Sequence, residues 1–181
     1  DAELPQITID PGGNAICVWI SCDAGQNGVF SNQRLAGEDW GDTLPVNVAT
    51  EVGNPRMATD AMGNTIAVWE QLDGYFWSVW ANRFVFDQGW GKATPLENDD
   101  AGEASSPQIA VDPMGNAVAV WQQSDGDRDD IWYNRYLIGL GWGSPTLLEI
   151  DDNGNAQSPD VAVDPDGNAM VVWQQHDGED T

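Results

Sequence analysis

Pro107-Gln108-Ile109-Ala110-Val111-Asp112-Pro113-Met114-Gly115-Asn116-Ala117-Val118-Ala119-Val120-Trp121 is one of four copies of a single pattern. The tryptophans fall at Trp19, Trp69, Trp121 and Trp173, spaced 50, 52 and 52 residues apart. Fourteen residues before each stands Pro5, Pro55, Pro107 or Pro159, and nine before stands Asp10, Asp60, Asp112 or Asp164. A Gly-Asn pair follows every aspartate: Gly13-Asn14, Gly63-Asn64, Gly115-Asn116 and Gly167-Asn168. A period near 50 residues marks a repeat architecture in which each copy is one supersecondary unit.

The third copy spells out that unit. Pro107 to Asp112 is a short β-branched run opened by proline, and Pro113 to Asn116 has the chemistry of a turn. Ala117 to Gln123 is a second strand, so the two runs predict an antiparallel hairpin. A polar loop, Ser124 to Asp130, leads to a third strand at Ile131–Tyr136. Gly141-Trp142-Gly143 precedes a fourth near Thr146–Ile150. No long segment carries a 3.6-residue apolar period, which argues against helices. Both faces of Ala117 to Trp121 are apolar, as in a strand covered on two sides. Asn134 and Arg135 among aromatics place the third strand further out.

Tight inner strands and wetter outer ones are what a β-propeller blade presents to its neighbours. The expected fold is therefore all-β, a β-propeller of four-stranded antiparallel blades. The expected repeats run over residues 5–54, 55–106, 107–158 and 159–181, the last incomplete, within one propeller segment spanning 1–181. On these residues the chain resembles bacterial β-propellers with blades of about 50 residues, broadly similar to sialidase-like and lectin propellers. The sialidase Asp-box, Ser-x-Asp-x-Gly-x-Thr-Trp, is absent, because Asp112 precedes Gly115 by three and Trp121 by nine. Arg34, Arg83 and Arg135 stand one per blade on the third strand. They read as structural, pairing with carboxylates of the next blade, rather than as the converging arginine triad of sialidases.

Three and a half blades do not close a ring, since propellers use about 4–8. Unclosed blades leave strand edges and an apolar face open. The expectation is a homo-oligomer, or the remainder of a longer propeller.

Charge limits the partners. Thirty Asp+Glu against six Lys+Arg give a formal net charge of −24. That field repels nucleic acid and anionic membranes, and suits neutral sugars, cations or basic protein surfaces. No apolar run reaches the ~20 residues that cross a bilayer. A start at Asp1 fits a mature secreted protein or a trimmed chain, so secretion to the periplasm or cell surface is the expected localisation. Cys17 and Cys22 on one strand lie about 16 Å apart on opposite faces, beyond disulfide reach. Ala67, Ala119 and Val171 share the slot of Cys17, which reads as a small core residue.

Binding residues are sought where the copies differ. Tyr75, Phe76 and Trp77 follow the second strand and have no counterpart in the other copies. Exposed aromatic planes stack on sugar rings, so these three are the expected ligand-binding group; covering a blade or a subunit contact is the alternative. The repeated tryptophans, with Trp40, Trp90 and Trp142 before strand four, read as core and rim packing. Acidic residues gather on the same face: Asp99, Asp100, Glu103, Asp125, Asp127, Asp129, Asp130, Asp151 and Asp152. Asp125, Asp127 and Asp129 are spaced like calcium-loop ligands, as Asp151, Asn153 and Asn155 are more weakly, though neither loop carries the glutamate at position twelve.

His176 is the only histidine, and no nucleophile elbow, zinc cluster or phosphate loop occurs. The leading expectation is a non-catalytic, lectin-like binding module for carbohydrate or a surface partner. The alternatives are a self-assembling structural propeller and a glycoside-cleaving enzyme using two carboxylates.

Overall fold

The computed structural model describes residues 1–23, 26–98, 102–149 and 154–176. All its regular structure is β. Strands β1 (Ala2–Ile9), β2 (Ala15–Asp23), β3 (Gln26–Arg34) and β4 (Leu44–Val48) form one antiparallel sheet in that order. The second sheet takes β5 (Val52–Thr59), β6 (Thr65–Asp73) and β7 (Phe76–Val85), edged by β8 (Gly89–Trp90) and β9 (Thr94–Pro95). The third repeats it with β10 (Ala104–Val111), β11 (Ala117–Ser124), β12 (Asp129–Leu137), β13 (Gly141–Trp142) and β14 (Thr146–Leu147). A fourth hairpin, β15 (Ala156–Val163) and β16 (Ala169–Gln175), follows.

The first strands β1, β5, β10 and β15 lie side by side in chain order, so the sheets stack like blades around their innermost strands. Two boundaries differ from the sequence reading. Each inner strand starts three residues before its proline, because a bulge carries it past. The residue preceding each proline takes up that bulge at positive φ: Leu4, Asn54, Ser106 and Ser158, at 49°, 42°, 53° and 55°. Strand four is also shorter than expected in the second and third blades, where only two residues pair beyond each tryptophan corner.

The repeated aspartate ties each hairpin turn. Asp112 Oδ1 accepts the Met114 and Asn116 amides at 2.8 and 2.9 Å, and its Oδ2 accepts Asn116 Nδ2 at 2.8 Å. Asn116 Oδ1 then accepts the Ile138 amide at 3.1 Å, which fastens the inner hairpin to the outer one. Asp60 and Asn64 do the same with Phe86, and Asp10 and Asn14 with Ala36. These carboxylates are spent on buried turn donors. On Asp164 the Asn168 side-chain amide, foremost, holds the carboxyl below its usual range. Gly115 sits at φ 91°, and a Cβ there would lie 2.7 Å from Asp60 Oδ2 of the preceding blade. Only glycine meets both conditions.

The core lies between blades. Val18, Val29 and Val46 of the first pack on Ala67 and Trp69 of the second. Ile66, Val68, Val79 and Leu96 of the second pack on Ala119 and Trp121 of the third. Trp69 and Trp121 are fully buried, whereas Trp19 and Trp173, at the two ends of the stack, are only half-buried. Polar side chains cross the same seams. Asn82 Nδ2 donates to Val46 O at 2.9 Å, Asn134 Nδ2 to Leu96 O at 3.1 Å, and Trp90 Nε1 to Ser31 Oγ at 2.7 Å.

The arginines depart from expectation in their partners. Arg83 lies over the Tyr136 ring at 5.6 Å, and Arg135 donates to Gly167 O at 2.9 Å, so both reach the next blade without a carboxylate. Arg34 donates to Glu38 O within its own blade.

Cys17 and Cys22 are free thiols. Burial pushes the Cys17 thiol up, and its Sγ–H points to Asn32 O at 3.5 Å. Among the described residues no helix is long and apolar enough to cross a membrane.

Candidate functional site

The turns after β6 and β11 open on the same face as the segments that lead into β5, β10 and β15. The three aromatics expected to act together there are separated by strand geometry. Only Tyr75, 94% exposed, belongs to the Gly74-Tyr75 turn. Phe76 and Trp77 are the first residues of β7, opposite Asp73 and Leu72. Neighbours on a strand point to opposite faces, so Phe76 and Trp77 cannot form one platform.

Trp77 shares its face with Leu72, Val79 and Glu70, the face turned to the third blade. Its backbone amide donates to Glu103 Oε2 at 2.5 Å, across the blade boundary. The third boundary repeats that bond, with the Asp129 amide on Asn155 Oδ1 at 3.1 Å. Glu103 therefore anchors the first residues of β7 as well as carrying a carboxylate at the surface.

Glu70 is the residue the sequence reading missed. It is buried, 8% exposed. Asn54 Nδ2 lies 2.8 Å from both of its oxygens, and the Ser106 amide donates to Oε1 at 2.7 Å. Every group facing it in these bonds is a donor, so Glu70 is held as an acceptor. The corresponding slots carry Ile20, Gln122 and Gln174. The departure is visible in the sequence itself, where this strand slot reads Ile20, Glu70, Gln122 and Gln174.

Gly53, opposite Glu70 on β5, is a second departure, since Glu3, Ser105 and Gln157 occupy its slot. A Cβ on Gly53 would fall 2.9 Å from Glu70 Oε2 and 3.8 Å from the Trp77 ring. The bare backbone is what lets carboxylate and indole lie over the same stretch of strand.

In the loop read as a calcium site, Asp125 Oδ1 accepts the Asp127 and Arg128 amides at 2.9 and 3.0 Å. Those backbone donors, Arg128 foremost, hold its carboxyl below the usual range. Asp129 opens β12, and Arg128 Nε stands 3.4 Å from Asp130 Oδ1. Among the described residues, no three His, Cys, Asp or Glu side chains are grouped to hold a metal ion. Asp99, Asp100, Asp151, Asp152 and Asn153 lie outside the described residues.

No family model and no curated protein matches the chain. Solved structures do share its fold. The α-L-arabinanase of Penicillium chrysogenum, determined with arabinobiose, superposes with a TM-score of 0.64 at 13% identity, over 93% of this chain and 57% of that one. The GH93 α-L-arabinofuranosidase of Fusarium graminearum, also with arabinobiose, gives 0.64 at 17%, over 94% and 57%. The endo-arabinase of Bacteroides thetaiotaomicron gives 0.51 at 18%, over 96% and 70%. The chain thus spans a little over half the length of the first two. A propeller-type fold of stacked four- and five-stranded sheets is supported, without a sialidase or lectin assignment. These neighbours are glycoside hydrolases, which overturns the non-catalytic binding module as the leading expectation.

Proposed function

We propose that this chain belongs to a propeller enzyme that hydrolyses glycosidic bonds, with Glu70 and Glu103 as its carboxylates. The observation that carries this reading is the Glu70 cluster. In a chain of repeats, Gly53, Asn54, Glu70 and Trp77 all depart from their slots, and all meet at one boundary. Packing alone would have been served by the Gln of the later copies. The likeness to arabinan-cleaving structures supports the same reading and suggests arabino-oligosaccharides as substrates.

Glycoside hydrolysis needs two carboxyl groups flanking the scissile bond. One protonates the leaving oxygen as the bond to the anomeric carbon breaks. The other either attacks that carbon or takes a proton from the attacking water. Glu70, faced by donors, suits the second role. Glu103, exposed to solvent across the same blade boundary, suits the first. A secreted location fits a polysaccharide substrate. Incubating the purified chain with linear arabinan and arabino-oligosaccharides should release reducing ends. No release from these or from other neutral glycans would end the proposal.

A second reading concerns assembly, and the open ends of the stack favour it. Ile7 and Ile9 at one end are 62% and 65% exposed, and Met170 and Val172 at the other 74% and 59%. The counterparts of Met170 and Val172 in the second blade, Ile66 and Val68, are buried, packed on the third blade. The two ends are thus the two halves of an interface already formed between blades, and two copies joined at both ends would bury them. Light scattering should then give twice the 19.6 kDa chain mass. A monomer at millimolar concentration would rule the pairing out.

A further inference from the structure

We infer that the free edge of β16 takes up an extended strand from another polypeptide, with the pattern β-branched residue, aromatic, any residue, Asn, then Gln or Arg. This edge lies at the third blade boundary, one blade beyond Glu70, and its role does not depend on hydrolysis. In the first three blades the strand in this position is covered on its far side by β3, β7 or β12. Among the described residues β16 pairs with β15 alone. Ala169 is accordingly exposed, where its counterparts Ala15, Thr65 and Ala117 are buried. An unpaired edge of this kind offers its row of amides and carbonyls to an incoming strand.

The three covering strands define the chemistry that fits. They read Val29-Phe30-Ser31-Asn32-Gln33, Val79-Trp80-Ala81-Asn82-Arg83 and Ile131-Trp132-Tyr133-Asn134-Arg135. In each, the aromatic stands opposite the repeated tryptophan. The asparagine two residues on stands opposite Cys17, Ala67 or Ala119. On β16 those positions are Trp173 and Val171. Aromatic and asparagine share one face of their strand, and in β7 and β12 they serve the seam to the preceding blade. Asn82 Nδ2 donates to Val46 O and Asn134 Nδ2 to Leu96 O, while Trp80 and Trp132 pack on the core clusters. Leu148 continues that series, since its amide donates to Ile131 O as the Leu96 amide does to Val79 O. A groove of about 340 Å³ lies there, lined by Val118, Tyr133 and Leu148 on one side and Ala169 and Val171 on the other. An incoming aromatic and asparagine would enter it as their counterparts enter the earlier seams. The strands of this pattern within the chain are already paired, so a second copy has none to give. The net charge of −24 favours a strand that brings arginine.

The probe is a synthetic peptide of residues 26–34, which carries Arg34 and no acidic residue. Added to the whole chain, it should slow amide hydrogen exchange across β16 and leave the other strands unchanged. A fluorescently labelled peptide should bind saturably in anisotropy titrations. Asn32→Ala in the peptide should weaken binding about tenfold, the scale of one lost seam hydrogen bond. A peptide of the same composition in scrambled order should not bind. Equal affinity for the scrambled peptide, protection on strands other than β16, or no saturable binding would each overturn the proposal. Slowing of β16 exchange with rising protein concentration and no peptide would assign the edge to a second copy, and would overturn it too.

Discussion

Trp121→Ala should destabilise the protein by about 4 kcal/mol, as loss of a fully enclosed indole does. Trp121 has no exposed surface. It is packed by Val68, Val79 and Leu96 of the preceding blade and by Ala119 of its own. Its Nε1 donates to Gln123 Oε1 at 2.9 Å, and that buried acceptor loses the donor in the variant. Trp173→Ala removes the same atoms from the same slot and the same bond, to Gln175 at 3.0 Å. Yet Trp173 is only half-buried, so its loss should cost roughly 1 kcal/mol. Guanidinium unfolding followed by circular dichroism measures both. Trp121 stands on a middle strand of its sheet, paired with Trp132 of β12, whereas the strand of Trp173 has one described partner, so the comparison measures what full enclosure of the indole contributes. Equal losses would mean that the neighbouring strand and blade add nothing to the indole's contribution.

Much of that stack could be read from the spacing alone. Period, hairpins and the Asp-x-x-Gly-Asn turn follow from local chemistry, and the structure uses each as expected. What escaped depends on neighbours in space. The bulge before each proline hid the true strand starts, because proline ordinarily opens a strand and only the positive φ at residues such as Ser106 carries pairing past it. Tyr75, Phe76 and Trp77 looked like one group because adjacency in a sequence ignores the alternation of a strand, which divides them. Arg83 and Arg135 reach the next blade, through a ring and a carbonyl in place of the expected carboxylate, and Arg34 stays within its own. Glu70 escaped for another reason. Its slot departs from the repeat, but the donors around it come from β5 and β10, which adjacency in the sequence does not bring together. The leading functional expectation rested on the loop aromatics, and the likeness to glycoside hydrolases overturned it.

Glu70→Gln should lower kcat on arabino-oligosaccharides by about 10³-fold, within the range for removing a positioned acid or base. The substitution is nearly isosteric, and Gln122 and Gln174 already occupy the equivalent slots of later blades, so the strand accepts it. Stability should change by less than about 1 kcal/mol, because one amide oxygen still accepts a donor. Loss of activity without loss of fold would separate a chemical role from a packing role, which Glu70→Ala could not do. Glu103→Asn is the matching change at the second carboxylate, since Asn155 fills its slot at the next boundary and still holds the strand amide. Its kcat should fall less for substrates with good leaving groups, which need little protonation. That asymmetry follows from burial, since Glu70 accepts its donors inside the seam whereas Glu103, one oxygen accepting the Trp77 amide, is exposed. A Glu70→Gln protein keeping more than a tenth of wild-type kcat would remove Glu70 from the chemistry. The departure of that slot from the repeat would then have to be explained by the blade seam alone.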